Sequence, residues 1–318
     1  MCTLALLAGA MTGGTALGQD FPSKSIRLIA PFAPGGSTDV VARVIAQKLT
    51  DLWKTQVIVD NRSGAGGVIG TEISARAAAD GYTWCMGTAS TLAVNPNVYS
   101  KLPYNTGRDF IFVSMVAVGP FVLAAHPGVQ ANTMKELIGL ARSRPGKLTF
   151  ASSGQGSVVH MSGELMKLAA GIDLTHVPFK GGGPASIAML SGDVDLMLND
   201  LPPVLQHIRS GRLKAIAAAM KQRSNLIPDI PTMVESGVQG AESASWFGML
   251  VPAGTPAPVV AKINSGLGAV LRSADYRERL AQVGMEPVFG TSAEFTQYVR
   301  EEHAKWARVA KAAGVQLD

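Results

Sequence analysis

The sequence predicts an α/β fold made of two units, each a parallel sheet covered by helices. Two observations carry this. Short apolar, β-rich runs alternate with helix-period patterns, and the alternation starts afresh near the middle of the chain. Several of the strand-to-helix joints are also rich in glycine and small polar residues.

In chain order, "SIRLIAPF" reads as a strand, and "TDVVARVIAQKLTDLW" as a helix whose Val40, Val41, Val44, Ile45 and Leu49 share one stripe. "QVIVDN" is a strand, "GVIGTEISARAAA" a helix, and "YTWCMGT" a third strand, which completes βαβαβ. An irregular stretch, 90–110, separates these from two apolar runs, "IFVSMVAV" and "FVLAAHP". "TMKELIGLARSRPG" is a helix stopped by Pro145 and Gly146. The βα rhythm then resumes through "KLTFASSGQGSVVHMSGELMKLAAG" and "DLTHVPFKGGGPASIAMLSGDVDLML", followed by strands "LKAIAAAM" and "WFGMLVPAG" and three closing helices. The expected domains are 21–122 together with 247–318, and an inserted 123–246. No fixed-period repeat is present.

The 318 residues are 47% hydrophobic and 16% charged, a globular balance. The net charge of +5 comes from scattered Lys and Arg with no run or stripe, which argues against a nucleic-acid surface. Residues 1–20 carry an apolar stretch from Thr3 to Met11 and small residues at Ala16 and Gly18, the pattern of a secretory leader with a clipped start. The alternative is an apolar element of the fold. With the leader removed, Cys85 is the one cysteine left, so an internal disulfide is excluded and a buried thiol is expected. No other run is long enough to span a bilayer.

Three joints share a design. "FAPGGSTDVV", "ASSGQGSVVHMS" and "FKGGGPASIAM" each lead a strand into a helix through glycines. The first amides of a helix lack internal partners and sit at the positive end of the helix dipole. Bare backbone there can take a carboxylate or phosphate with no Lys or Arg. Taken singly such loops only cap helices; three at equivalent positions point to an anion cleft beyond the carboxyl ends of the strands.

Other chemistries lack their signatures. There is no G-x-x-x-x-G-K-S/T loop. "VIVDNRSGAGGVIGTE" misses G-x-G-x-x-G, because Ile69 stands at the third glycine. No G-x-S-x-G elbow surrounds a serine, although Ser157 and His160 lie close enough to leave a hydrolase pairing open. His126, His160, His176, His207 and His303 show no metal spacing. No cofactor, metal or catalytic group is expected. Asp39 either reaches ligand through water or holds its own loop. Asp200 either faces the cleft or caps a helix ahead of Pro202 and Pro203. Lys180 either counters an anion or is solvated. Trp246 and Phe247 either wall the cleft or belong to the core.

Read as a set, "PFAPGGSTDVVARVIAQKL", "VIVDNRSGAGGVIGTE", "ADGYTWCMGTASTLAVNP", "VPFKGGGPASIAMLSGDVDLML", "IPTMVESG" and "WFGMLVPAGTPAPVVAKIN" resemble the Bug family. These are the TctC-like extracytoplasmic receptors of tripartite tricarboxylate transporters. The resemblance runs from about Phe21 to the C-terminus. It implies a type II periplasmic binding-protein fold, two α/β domains hinged around a cleft. It also implies a small carboxylate held by backbone amides and waters, delivery to membrane permease subunits, a periplasmic location and a monomer. The ligand residues it implies are Phe32, Gly35, Gly36, Ser37, Thr88 and Ser90 on one side. On the other are Ser153, Gly154, Gly156, Ser157, Gly181 and Gly182, with Asp200 nearby; Asp39 stays a candidate from the reading of the residues alone. A sensor for a signalling partner stays open as an alternative role.

Overall fold

A computed structural model describes residues 21–318. The expected leader, 1–20, lies outside the described residues. Strands β1 (Ile26–Ala30), β2 (Val57–Asn61) and β3 (Thr83–Thr88) run parallel, with β1 between the other two. Helix α1 (Ser37–Trp53) crosses from β1 to β2 and buries Val41, Ile45 and Leu49 on its inner stripe. Helix α2 (Val68–Ala75) crosses to β3 and ends earlier than its sequence pattern suggests, because Ala77 N–H turns back to Ser74 O in a tight last turn. The stretch expected to be irregular is partly helical: a wide π-turn at Ser90–Val94 runs into the short α3 (Asn95–Val98), with Pro96 in its first turn, where no N–H is needed.

The two apolar runs that follow are one strand, β4 (Phe110–Ala125). Gly119 and Pro120 made it look like two. Pro120 sits where one pairing partner gives way to the next, so the strand continues through it. Helix α4 (Met134–Ser143), N-capped by Thr133, leads to a second parallel unit. This unit is β5 (Thr149–Ser152), α5 (Val158–Ala170), β6 (Thr175–Pro178), α6 (Gly182–Ser191) and β7 (Leu196–Asp200), with β5 between β6 and β7. A short α7 (Leu205–Arg209) and β8 (Lys214–Ala218) follow. Strand β9 (Ala244–Pro252) then returns along β4. Helices α8 (Ala257–Leu271) and α9 (Ala274–Gln282), the two-residue β10 (Glu286–Pro287) and α10 (Ser292–Ala313) close the chain. Thr291 and Glu294 form a full capping box on α10.

The curled sheet runs β2-β1-β3-β9-β4-β7-β5-β6, with β8 and β10 also paired to β4. The parallel pairs expected inside each unit are present; β9 and β4 join the units through antiparallel ladders. Helices α8 and α9 pack on α1, in the first unit. Helix α10 lies against β4, α3 and α5, and its Phe295 and Trp306 share a core with both Leu92 and Phe150. Cys85 is fully buried in that core, and burial pushes its thiol up to about 11, so it packs as a small hydrophobe. The carboxyl ends of β1 and β3 face those of β5 and β7 across a cleft.

Candidate functional site

Two helix starts in the cleft are bare. Gly36 precedes α1 and Gly181 precedes α6, and neither start has a side-chain cap. Gly36 and Gly182 face each other so closely that a Cβ on Gly36 would come within 3.4 Å of the Gly182 amide nitrogen. A Cβ on Gly183 would lie 2.7 Å from Pro34 O, and Ala33 N–H donates to Lys180 O across the gap at 3.2 Å. Only glycine allows backbones to meet like this.

The third glycine joint differs. Ser157 caps α5 by accepting the His160 N–H at 3.2 Å, and Ser90 Oγ, from the opposite unit, accepts the Val158 N–H at 2.9 Å. The expectation that this loop leaves its helix amides free is corrected by these two serines. Its glycines serve closure instead. A Cβ on Gly66 would strike Gln155 O at 2.6 Å, and one on Gly154 would reach the Gly66 Cα at 3.3 Å. The Gly64–Gly67 turn, which lacks the nucleotide fingerprint, is therefore where the first unit meets the α5 loop.

Between the bare starts lies a narrow cavity of ≈ 40 Å³. That is room for a few waters or a small carboxyl head. Phe32, Gly36, Ser37, Thr88, Ser90, Ser153, Gly182 and Asp200 line it, as does the pair Trp246 and Phe247. Sequence reasoning missed Thr38, Ala89, Phe121, Val158, Val159, Asn199 and Ser245. Phe121 and Ser245 belong to β-strands with no local motif, so only the fold could bring them here.

The other expected residues stand just behind the wall. Asp39 holds the loop: its Oδ2 accepts the Gly35 N–H at 3.0 Å. Arg43 Nε lies 2.9 Å from Asp39 Oδ1 but out of line for a hydrogen bond, so that contact is an ion pair alone. Gly154, Gly156, Ser157 and Gly181 shape the two turns. Lys180 is exposed and contributes only its carbonyl. Among the described residues no Lys or Arg lines the cavity. Its positive potential comes from the helix starts.

Asp200 does not cap α7, whose start follows Val204. It ends β7, is 6% exposed and faces the cavity. Burial raises its carboxyl to about 6, and the nearby hydroxyls of Ser37 and Ser245 only partly oppose this. Neither hydroxyl makes a well-formed hydrogen bond to it, and Ser37 Oγ is buried without a partner.

Ser157 and His160 do not form a nucleophile and base. The serine hydroxyl is the helix cap, and His160 Nδ1 accepts the Gly156 N–H at 3.3 Å. The His160 ring stacks on His176 at 3.9 Å, and His176 Nε2 meets Ser152 Oγ at 2.6 Å. Burial, then the charge of Lys167, lowers His160 to about 4; burial, then His160 and Lys167, lowers His176 to about 3. This neutral pair braces the loop before α5. Among the described residues no His, Cys, Asp or Glu cluster could hold a metal, and no helix is long and apolar enough to cross a membrane.

An α/β chain with a closed cleft between two parallel units has the architecture of a periplasmic solute-binding receptor. The solved structure described as "R. palustris Rpa4515 with adipate" matches with a TM-score of 0.91 and 35% identity over 93% of this chain and 99% of that one. MatC (Rpa3494) from Rhodopseudomonas palustris, with bound malate, matches at 0.87 and 32% over 91% and 99%. The family model for the tripartite tricarboxylate transporter family receptor, TctC, matches residues 41–315, and the chain belongs to that family. It is 38% identical to Protein BugT of Bordetella pertussis across 93% of this chain and 91% of that protein.

Proposed function

We propose that this receptor works in the periplasm as a monomer, captures a small organic carboxylate and delivers it to the permease subunits of a tripartite tricarboxylate transporter. Two domains, 21–122 with 247–318 and 123–246, close on the ligand. Phe32, Gly36, Ser37, Thr88, Ser90, Ser153, Gly182 and Asp200 contact it directly or through water. Gly35, Asp39, Gly154, Gly156, Ser157 and Gly181 hold the contacting loops in place.

The observation that carries this reading is the pair of uncapped helix starts facing one cavity that no Lys or Arg lines. Such a site recognises the carboxylate head through backbone amides and leaves the rest of the ligand to Trp246, Phe247 and Phe121. Adipate in Rpa4515 and malate in MatC each carry carboxyl heads of the size this cavity holds. Contacts such as Ala33 N–H to Lys180 O exist only when the cleft is closed, so a ligand that favours closure shifts the population by its own binding energy.

A thermal-shift screen of dicarboxylates (adipate and malate included), aromatic acids and amino acids tests the reading. Ligand at a thousand times its Kd adds about 4 kcal/mol of stability, several degrees of Tm for a chain of this size. At least one carboxylate is expected to do this and to be recovered unchanged. A screen with no stabilising carboxylate, or one in which the acid is chemically converted, contradicts it.

A further inference from the structure

The cavity wall consists of backbone amides, hydroxyls and apolar rings, with one ionisable group. That group is an acid, Asp200, placed where an anion is expected to bind. It faces the uncapped start of α1 from the opposite unit, and Ser37 Oγ beside it is buried with no partner. Its charged surroundings offer no counter-ion. From α1, Asp39 is paired with Arg43 behind the loop. From α5, His160 faces His176 and Gly156 N–H. Lys180, ahead of α6, is exposed, and Glu302, which accepts from Trp246 Nε1, does not line the cavity. Strands β4, β7 and β9 and helix α6 bring no other titratable side chain to Asp200.

We propose that Asp200 binds ligand as a neutral carboxylic acid, donating its O–H to a ligand oxygen, so that each anion captured takes up one proton from solvent. This rests on the carboxylate reading above and adds the protonation state of the site. The magnitudes favour it. An ionised Asp200 about 5 Å from a ligand carboxylate would weaken binding by about a hundredfold or more at the effective dielectric of a protein site. Burial has already brought the acid to about 6, so protonating it at pH 7 costs only about tenfold. The proton is thus the easier route to charge balance. It also turns the one acceptor-only side chain of the lining into a donor that can meet a ligand oxygen beside the Ser37 and Ser245 hydroxyls and the amides. For a dicarboxylic acid, Asp200 and one ligand carboxyl would share the proton.

The test is calorimetry on the whole chain with adipate, malate or whichever acid of the screen stabilises it most. Titrations in two buffers of different ionisation enthalpy count the protons. Uptake approaching one proton is expected at pH 7.5. Affinity is expected to fall more than about tenfold from pH 6 to pH 8, as linkage to a single site requires. Asp200→Asn should lose both the uptake and the pH dependence, and should bind more tightly than the wild type at pH 8. Binding without proton uptake overturns this inference and leaves the carboxylate reading standing. So does a wild-type affinity that rises above pH 7 together with loss of binding in D200N, the signature of an ion pair with a cationic ligand group. No binding by any carboxylate removes both.

Discussion

The starts of α1 and α6 look in sequence like the start of α5, and in the molecule they do the opposite. Gly36 and Gly181 leave their helices uncapped toward the cavity. Ser157 and Ser90 take up the first amides of α5. Glycine content therefore does not define an anion site. What sets the two proposed anion-binding starts apart is glycine at the cap position with no side chain accepting from the first amides. The α5 loop uses its glycines to let the two units touch, and it is braced from behind by His160 and His176.

The largest effect should come from filling a bare start. Gly36→Val and Gly182→Val place methyl groups into a contact where even a Cβ is within 3.4 Å of Gly182 N or 2.9 Å of Asn199 Nδ2. Overpacking of this kind costs about 1–3 kcal/mol, or about five- to 150-fold in Kd. Calorimetry should show that loss in both, while the melting curve of the empty Gly36→Val chain stays near the wild type because its contact is made only across the closed cleft. Tight binding by both variants would show that the α1 and α6 starts are not the site.

The brace behind α5 predicts a pH effect on stability instead. His160 and His176 are held neutral at about 4 and about 3, so below pH 6.5 the unfolded chain binds protons that the folded chain refuses. Their contribution is complete above pH 6.5 and is lost as pH falls toward 4. Asp200 works the other way, since its raised carboxyl keeps a proton in the folded state between about pH 4 and about 6. Two histidines against one aspartate leave a net loss on acidification. Urea midpoints should fall from pH 6.5 to pH 4, and His176→Gln should flatten the slope. An unchanged slope would remove the brace.

Removing the cap of α5 should act on the fold more than on the ligand. Ser157→Ala deletes the acceptor for His160 N–H and should cost about 1 kcal/mol of stability, read as a lower Tm. If it weakened ligand binding as much as Gly182→Val does, the distinction between the loops would collapse. The smallest effect has two signs. Gly183→Ala adds a helix-favouring methyl worth up to about 0.5–1 kcal/mol, yet that methyl lies 2.7 Å from Pro34 O in the closed cleft. The empty chain should melt slightly higher, while binding weakens because the cleft cannot close fully over that methyl.

Much of this molecule is readable from local pattern. The stripe of Val41, Ile45 and Leu49, the two βαβ series and the glycine joints lie in short windows, and periodicity reports on such windows. The order of motifs pointed to the family. What stayed hidden depends on contacts between distant segments. Ser90 capping a helix 68 residues away has no signature in the chain. Nor does the meeting of Gly66 with Gln155, or the placement of Phe121 and Ser245 in one cavity with Asp200. Strand β4 was hidden for a different reason: Gly119 and Pro120 are breakers by composition, yet they sit where the strand changes partners.

The central claim is that uncapped backbone, and no basic side chain, holds the ligand's carboxylate. A high-resolution structure of the chain with a stabilising carboxylate tests it most directly. The account predicts carboxylate oxygens within hydrogen-bond reach of the amides at Ser37 and Gly182, directly or through one water, with Asp200 against a ligand oxygen. A carboxylate held by a lysine or arginine, or seated outside this cavity, would contradict it.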